Sequence, residues 1–367
     1  MNAVGIDVSK GKSMVAILRP YGEIISAPFE IRHTSSDINA LVEQIRSVEG
    51  ESRIVMEHTG RYYEVLARQL SHASLFVSAV NPKLIKDFDN DSLRKVKSDK
   101  ADAVKIARYA LDKWQNLKQY SVMDELRNQL KTMNRQFGFY MKHKTAMKNN
   151  LIGILDQTYP GVNTCFDSPA RSDGSQKWVD FTSAYWHVDC VRKMSFHAFT
   201  VHYQKWCKRN KYNFSQAKAE EIYGTAKELV PVLPRDEVTK LIIKLAIDQL
   251  NSASRTVESL RSLMNETAAK LPEYPIVMEM KGVGPSLGPQ LIAEIGDVTR
   301  FHSKGALTAF AGVDPGVNES GTYVQKSVPT SKRGSADLRK TLFQVMDVLV
   351  KTMPQNDLSL IHISEPT

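Results

Sequence analysis

Cysteine is scarce in this sequence: Cys165, Cys190 and Cys207 are an odd number at wide spacing. That set cannot build a disulfide framework, and reduced thiols in a cytoplasm are expected. Long apolar runs are missing too, so no membrane span is expected. The opening MNAVGIDVSK reaches an acid at Asp7 and lacks the basic-then-apolar order of a signal peptide. Acidic residues are in deficit, 40 against 49 Lys and Arg, which leaves a net charge of +9. Such a balance suits a polyanionic partner and equally a mildly basic soluble enzyme. Hydrophobic and charged contents of 42% and 24% argue against wholesale disorder, and 367 residues suffice for two domains with connecting helices.

What is present begins with strands. Residues 3–8, 13–19 and 23–31 read as three strands joined by turns at Gly11 and Gly22. A helix over 37–48, capped by Ser35 or Ser36, a strand over 53–57, a helix over 61–73 and a strand over 75–80 follow. This predicts a mixed sheet with helices on its faces. From 123 to 155 the apolar residues Leu126, Leu130, Met133, Phe137, Tyr140, Met147, Leu151 and Ile154 keep a three-four spacing broken only at Lys144. That is a long helix of coiled-coil character, and a second spans about 235–271 until Pro272. The pair suggests an antiparallel or dimerising stalk. Between them lies aromatic and basic material, read as an inserted helical subdomain. The last unit reads as helix, glycine turn, helix over PIVMEMKGVGPSLGPQLIAEIG, a helix over 304–311, a polar loop over 312–335 and a final helix.

Four carboxylates stand out. Asp7 lies inside the first strand and Glu57 ends IVME, and a charge in a covered sheet is expensive unless it is paired or holds a metal. Asp99 and Asp102 stand three apart at a helix start, on one face. Hard oxygen ligands from two strands and a helix suit Mg²⁺, with Mn²⁺ as a substitute, and phosphodiester chemistry. The local alternative is that Asp99 caps the helix and Asp102 pairs with Lys105.

The segments GIDVSK, VMEHTGRYY, NPKLIKDF and KSDKADAVKIARY occur in the order seen in the RuvC-like domain of DEDD insertion-sequence transposases, the insertion sequence one-ten family, which residues 3–115 resemble. The resemblance implies an RNase H-like fold and carries Asp7, Glu57, Asp99 and Asp102 onto the family's acidic tetrad. The segment AFAGVDPGVNESGTYVQKSVPTSKRGSADLRKTL resembles the same family's C-terminal transposase domain, with Ser320 at the position of its nucleophilic serine. By itself a serine before a glycine in a polar loop is usually a loop residue, and Ser327 and Ser331 stay as rivals. Lys332, Arg333, Arg339 and Lys340 suit phosphate contacts. The turn GVGPSLGP misses both G-x-G-x-x-G and the P-loop. A helix-hairpin-helix, with the N–H groups of Gly282 to Gly284 on a DNA phosphate, fits better, a plain helix turn being the alternative.

The fold class expected is therefore α/β plus all-α. Its parts are an RNase H-like mixed-sheet domain (1–118), a long helix (119–156), the inserted helical subdomain (157–234), a second long helix (235–272) and a helical transposase domain (273–356). The ending LSLIHISEPT fits nothing upstream and resembles a translated sequencing adaptor, so 357–367 is expected to be a non-native tail on a clipped domain. The resemblance further implies donor and target DNA, a bridge RNA, a composite site that needs a homo-oligomer (dimer or tetramer), and a cytoplasmic, nucleoid-associated place in a bacterium or archaeon. A junction-resolving nuclease without a covalent intermediate and an inactive nucleic-acid-binding remnant are the competing functions. Two decoys are set aside. His187, Cys190, His197, His202 and Cys207 lack zinc spacing, and Asp87, Asp89 and Asp91 lack the glycine and terminal glutamate of a calcium loop.

Overall fold

A computed structural model describes residues 1–58, 60–88, 98–121, 123–314, 319–320, 323–324 and 329–352. The chain divides into two units, Met1–Val122 and Met123–Thr367.

In the first unit, strands β1 (Asn2–Val8), β2 (Lys12–Leu18) and β3 (Ile24–Arg32) form an antiparallel meander. Helix α1 (Ser35–Ser47) leads to β4 (Ser52–Glu57), and α2 (Tyr62–His72) leads to β5 (Phe76–Val80). Strands β4 and β5 add in parallel on the other side of β1, giving the order β3-β2-β1-β4-β5. Antiparallel strands on one flank and parallel ones on the other, with β1 central, is the RNase H-like arrangement. Short turns allow the meander, while parallel pairing requires the helical crossovers. The cap of α1 is Thr34, which accepts from Asp37 N–H, rather than Ser35 or Ser36. Thr34 is the last extended residue before the helix, the position from which a side-chain oxygen reaches the free N–H groups of the first turn.

The sheet is covered on both faces. Val4 and Ile6 of β1 pack with Leu41 and Ile45 of α1 and Leu66 and Leu70 of α2. On the other face Ala3 meets Ala103, Ile106 and Ala107 of α4 (Asp99–Asp112), with Ile85 of α3 (Pro82–Asp87) beside them.

The second unit is built on α5 (Glu125–Leu155) and α10 (Glu237–Ala268), capped by Asp124 and Asp236. Leu130 and Phe137 cluster with Val257, Met264 and Ala268, while Leu151 and Leu155 cluster with Ile243 and Leu250. The two helices therefore run antiparallel within the chain. Lys144, the break in the seam, is partly buried with its Nζ 4.0 Å from Glu258, and burial lowers its pKa. At the Leu155 end sits the inserted subdomain: α6 (Lys177–Ala184), α7 (Asp189–Arg192), α8 (Phe196–Arg209) and α9 (Gln216–Glu228). Its core is aromatic, with Trp178, Phe181, Phe199, Tyr203 and Trp206 buried together. His187 bonds backbone on both ring nitrogens, accepting from Asp189 N–H at 3.0 Å and meeting Leu233 O at 3.1 Å.

At the other end lie α11 (Tyr274–Met278), α12 (Leu287–Ile295), α13 (Lys304–Ala311) and α14 (Ala336–Thr352). Glu294 on α12 is 2% exposed and accepts from Asn134 Nδ2 (2.7 Å), Arg135 (3.0 Å) and Ser335 Oγ (3.4 Å), while Arg135 also pairs with Asp337. A buried carboxylate is tolerable only with such partners, so this cluster ties α12 and α14 to α5. Among the described residues no helix is long and apolar enough to cross a membrane.

Candidate functional site

The carboxylates of the first unit gather through strand register and one close contact. Ala3, Gly5 and Asp7 alternate onto the α4 face of β1. In the parallel neighbour, Gly5 is level with Val55 and Ile6 with Met56, so Glu57 follows level with Asp7 on the same face. The last two acids come from the first turn of α4. Ser98 is its cap, accepting from Ala101 N–H at 3.3 Å, so Asp99 is not needed for capping. Lys105 reaches the Lys86 carbonyl at 3.4 Å. The cap of α4 is therefore Ser98 and not Asp99. The helix N-terminus itself favours two carboxylates there.

Gly5 decides where that turn lies. A Cβ at Gly5 would stand 2.2 Å from Ala103 O and 2.4 Å from Ala107 N, so α4 lies directly on the β1 backbone. A glycine inside a strand is the sequence signal for such an approach.

The electrostatic result appears at Asp7. Its pKa is raised from 3.8 to about 6, first by burial and then by the charges of Asp102, Asp99 and Glu57. Among the described residues no three acidic, His or Cys side chains already stand in a metal-holding cluster. The four acids are close enough to repel one another, yet not drawn into a ligand cage. The donor set is all hard oxygen, which fits Mg²⁺ or Mn²⁺.

In the second unit, Ser320 ends the two-residue strand β6 (Glu319–Ser320), paired with β7 (Tyr323–Val324) so that Ser320 faces Tyr323. The base of this loop is tied. Ser331 N–H donates to Asp314 O (2.9 Å), Ser331 Oγ donates to Asp314 Oδ1 (2.6 Å), and Lys332 N–H donates to Gly312 O (3.1 Å). A Cβ at Gly334 would lie 2.1 Å from Phe310 O, so the returning strand is pressed against the departing one. This clasp was not foreseen from the sequence, where Asp314 and Ser331 stand 17 residues apart. It gives Ser331 a place at the loop's base, while Ser327 lies outside the described residues, as do Asp89, Asp91 and the ending from 353 onward.

The helix, glycine turn, helix is present as α11 and α12. Gly282 is packed on α14, where a Cβ would lie 2.7 Å from Leu349 Cγ, while nothing lies within 4 Å of Gly284. Lys332, Arg333 and Lys340 are exposed. Arg339 instead turns inward and donates to Ala311 O at 3.2 Å.

Two family models match the chain. A DEDD transposase model covers residues 4–160, and a model described as transposase of the IS116/IS110/IS902 family covers residues 274–359. An uncharacterized 44.8 kDa protein of insertion element IS116 from Streptomyces clavuligerus is 24% identical over 322 residues, 87% of this chain and 77% of that protein. An uncharacterized 43.6 kDa protein of insertion element IS110 from Streptomyces coelicolor is 21% identical, over 67% of this chain and 59% of its own length. Among solved structures, Thermus thermophilus RuvC in complex with a Holliday junction substrate aligns at 13% identity and TM-score 0.26, over 33% of this chain and 99% of RuvC. The strand order, not that alignment, identifies the fold. One model falls on the carboxylate domain and the other on the helices that frame Ser320, and on both counts this chain belongs to the IS110 family of DEDD transposases.

Proposed function

We propose that this transposase cuts and rejoins DNA through Ser320, assisted by a divalent ion held by Asp7, Glu57, Asp99 and Asp102. The observation that carries the metal half is geometric: strand register puts Glu57 level with Asp7 on the face where α4 rests on Gly5, so the first turn of α4 brings Asp99 and Asp102 to the same end, and the raised pKa of Asp7 accords with it. When bound, Mg²⁺ or Mn²⁺ supplies Lewis-acid polarisation of phosphate oxygens. Ser320 Oγ bonds to phosphorus as a phosphorus–oxygen bond to deoxyribose breaks, and the serine proton passes through solvent to the departing oxygen. The phosphoserine link conserves the phosphodiester, so an incoming strand's hydroxyl can displace Ser320 and restore its proton without an energy source. Lys332, Arg333, Lys340, the remaining N–H groups of Arg339 and the turn at Gly282 and Gly284 would hold flanking phosphates. Donor and target DNA are chosen by pairing with a bridge RNA, and delegation of sequence choice to base pairing needs only shape and backbone contacts from the protein.

The serine of one subunit works with the tetrad of another, so the active form is a dimer or tetramer. An exposed apolar row on α10, Val238, Leu241, Ile242 and Leu245 at helical spacing, supports a further copy packing there. The working place is the nucleoid.

Ser320→Ala is expected to abolish the covalent protein–DNA adduct seen on denaturing gels in Mg²⁺. Cutting that continues without adduct would instead make this a nuclease that uses water, and binding without cutting in either metal would make it an inactive binding protein. Ser331→Ala tests the clasp. Losing a 2.6 Å bond to Asp314 should slow adduct formation about tenfold or more through misplacement of the loop, with DNA affinity retained and Ser331→Thr rescuing the rate. Complete loss of adduct in Ser331→Ala, with Ser320→Ala still forming one, would transfer the nucleophile to Ser331.

A further inference from the structure

The inserted helical subdomain carries a basic cleft that the cut-and-rejoin chemistry leaves unused. His202, Lys205 and Arg209 stand at i, i+3 and i+7 on α8, one face of a helix. With Ala184, Tyr185 and Trp206 they line a cleft of about 300 Å³. All three are exposed, and none forms an ion pair among the described residues. Other cations of the subdomain have carboxylate partners: Arg171 pairs with Asp180, Arg192 and Lys193 both pair with Asp189, and Lys218 pairs with Glu221.

Helix stability does not explain the row. The C-terminal dipole favours Lys208 and Arg209 in the last turn. It gives nothing to Lys205 or His202, one and two turns earlier. Gathering like charges on one face is unfavourable unless an anion joins them.

The aromatic wall is fixed in advance. Trp206 stacks on Tyr203 (5.7 Å, 13°) and on Tyr212 (5.3 Å, 21°), and Tyr185 stacks on Phe181 (4.6 Å, 26°). A wall already held by stacking adds no ordering cost of its own when a ligand lies against it. The row spans about 10 Å along the helix, longer than one phosphate, so it tracks a polymer rather than enclosing a small anion.

We propose that this cleft binds the phosphodiester backbone of a nucleic acid, with Lys205 and Arg209 on successive phosphates and His202 beside them. The proposal rests on the proposed function only in taking the polymer to be nucleic acid. It adds a contact on the inserted subdomain, apart from the reacting residues.

The test uses the full chain with two probes, a single-stranded RNA and a duplex DNA, with binding followed by fluorescence anisotropy across a KCl series. For Lys205→Gln/Arg209→Gln, affinity for at least one probe should fall about tenfold or more. The slope of log K against log salt should shrink by about 1 to 2, since each lost phosphate contact removes about 0.9 for duplex and about 0.7 for single strand. A change confined to RNA assigns the cleft to RNA, and one confined to DNA assigns it to the duplex. The charge-retaining pair Lys205→Arg/Arg209→Lys should bind as wild type. Unchanged affinity and slope on both probes overturns the proposal, and so does equal loss in the charge-retaining variant, which would trace the effect to the subdomain's fold. If wild type forms no adduct with DNA while the double variant still loses its salt slope, the recombinase reading fails and the cleft stands.

Discussion

Asp7→Asn is expected to stabilise the metal-free protein at pH 8 while lowering DNA cutting about 10³-fold or more. Both effects follow from one cause. Folding raises the Asp7 pKa from 3.8 to about 6 through burial and three neighbouring carboxylates. Between about pH 4 and 6 the folded chain keeps a proton that the unfolded chain has released. Stability without metal therefore falls as pH rises through that window and levels off above it. Asparagine removes the charge and with it the slope. The gain at pH 8 is on the order of 1 kcal/mol after allowing for water around a partly exposed group, or a few degrees in Tm. Below pH 4 the two proteins should melt alike.

Metal reverses the ranking. A cation at the tetrad must displace the Asp7 proton below about pH 6, so Mg²⁺ affinity of the wild type should weaken as pH falls through that value. At pH 8, Mg²⁺ should raise the Tm of the wild type and leave Asp7→Asn unmoved. An asparagine variant that still cuts DNA and still gains stability from Mg²⁺ would remove Asp7 from the metal site.

The elements of this fold were largely legible because their signals are local. Short apolar segments bounded by turns marked β1 to β5, and three-four spacing marked α5 and α10 within a few residues of their ends. The antiparallel option for the long pair is the one adopted, since each helix fills the other's seam. Caps were less legible. Thr34 and Ser98 cap where Ser35 or Ser36, and in one reading Asp99, were expected. Several neighbouring hydroxyls and carboxylates could satisfy the same N–H groups, and only the backbone conformation chooses.

The site divides in the same way. Asp7 and Glu57 could be picked out as charges in strands and Asp99 and Asp102 as a pair on one helix face, while resemblance carried the four onto a tetrad and supplied Ser320. What the sequence hid were contacts between distant segments: the Asp314–Ser331 clasp, Glu294 beneath α14, and the inward turn of Arg339. Each joins polar residues that look like ordinary surface when read along the chain.

Gly5→Ala is expected to cost the first unit both stability and its metal site, although it adds a single methyl and touches no carboxylate. The new Cβ would lie 2.2 Å from Ala103 O, 2.4 Å from Ala107 N and 2.9 Å from Ala107 Cα. All three are backbone atoms, so no rotamer change can relieve the clash, and α4 or β1 has to shift. Overpacking of this kind costs about 1–3 kcal/mol or more, which should appear as a Tm lower by roughly 5–10 °C. Movement of α4 also carries Asp99 and Asp102 away from Asp7. The Asp7 pKa should then drop back toward 3.8, the stability slope between pH 4 and 6 should flatten, and Mg²⁺ should bind more weakly. Ala103→Gly should not rescue the variant, because the obstructing atom is the carbonyl oxygen and not the methyl. A Gly5→Ala protein with wild-type melting and an unchanged pH slope would show that α4 does not rest on β1 at this point, and the placement of the tetrad would fall with it.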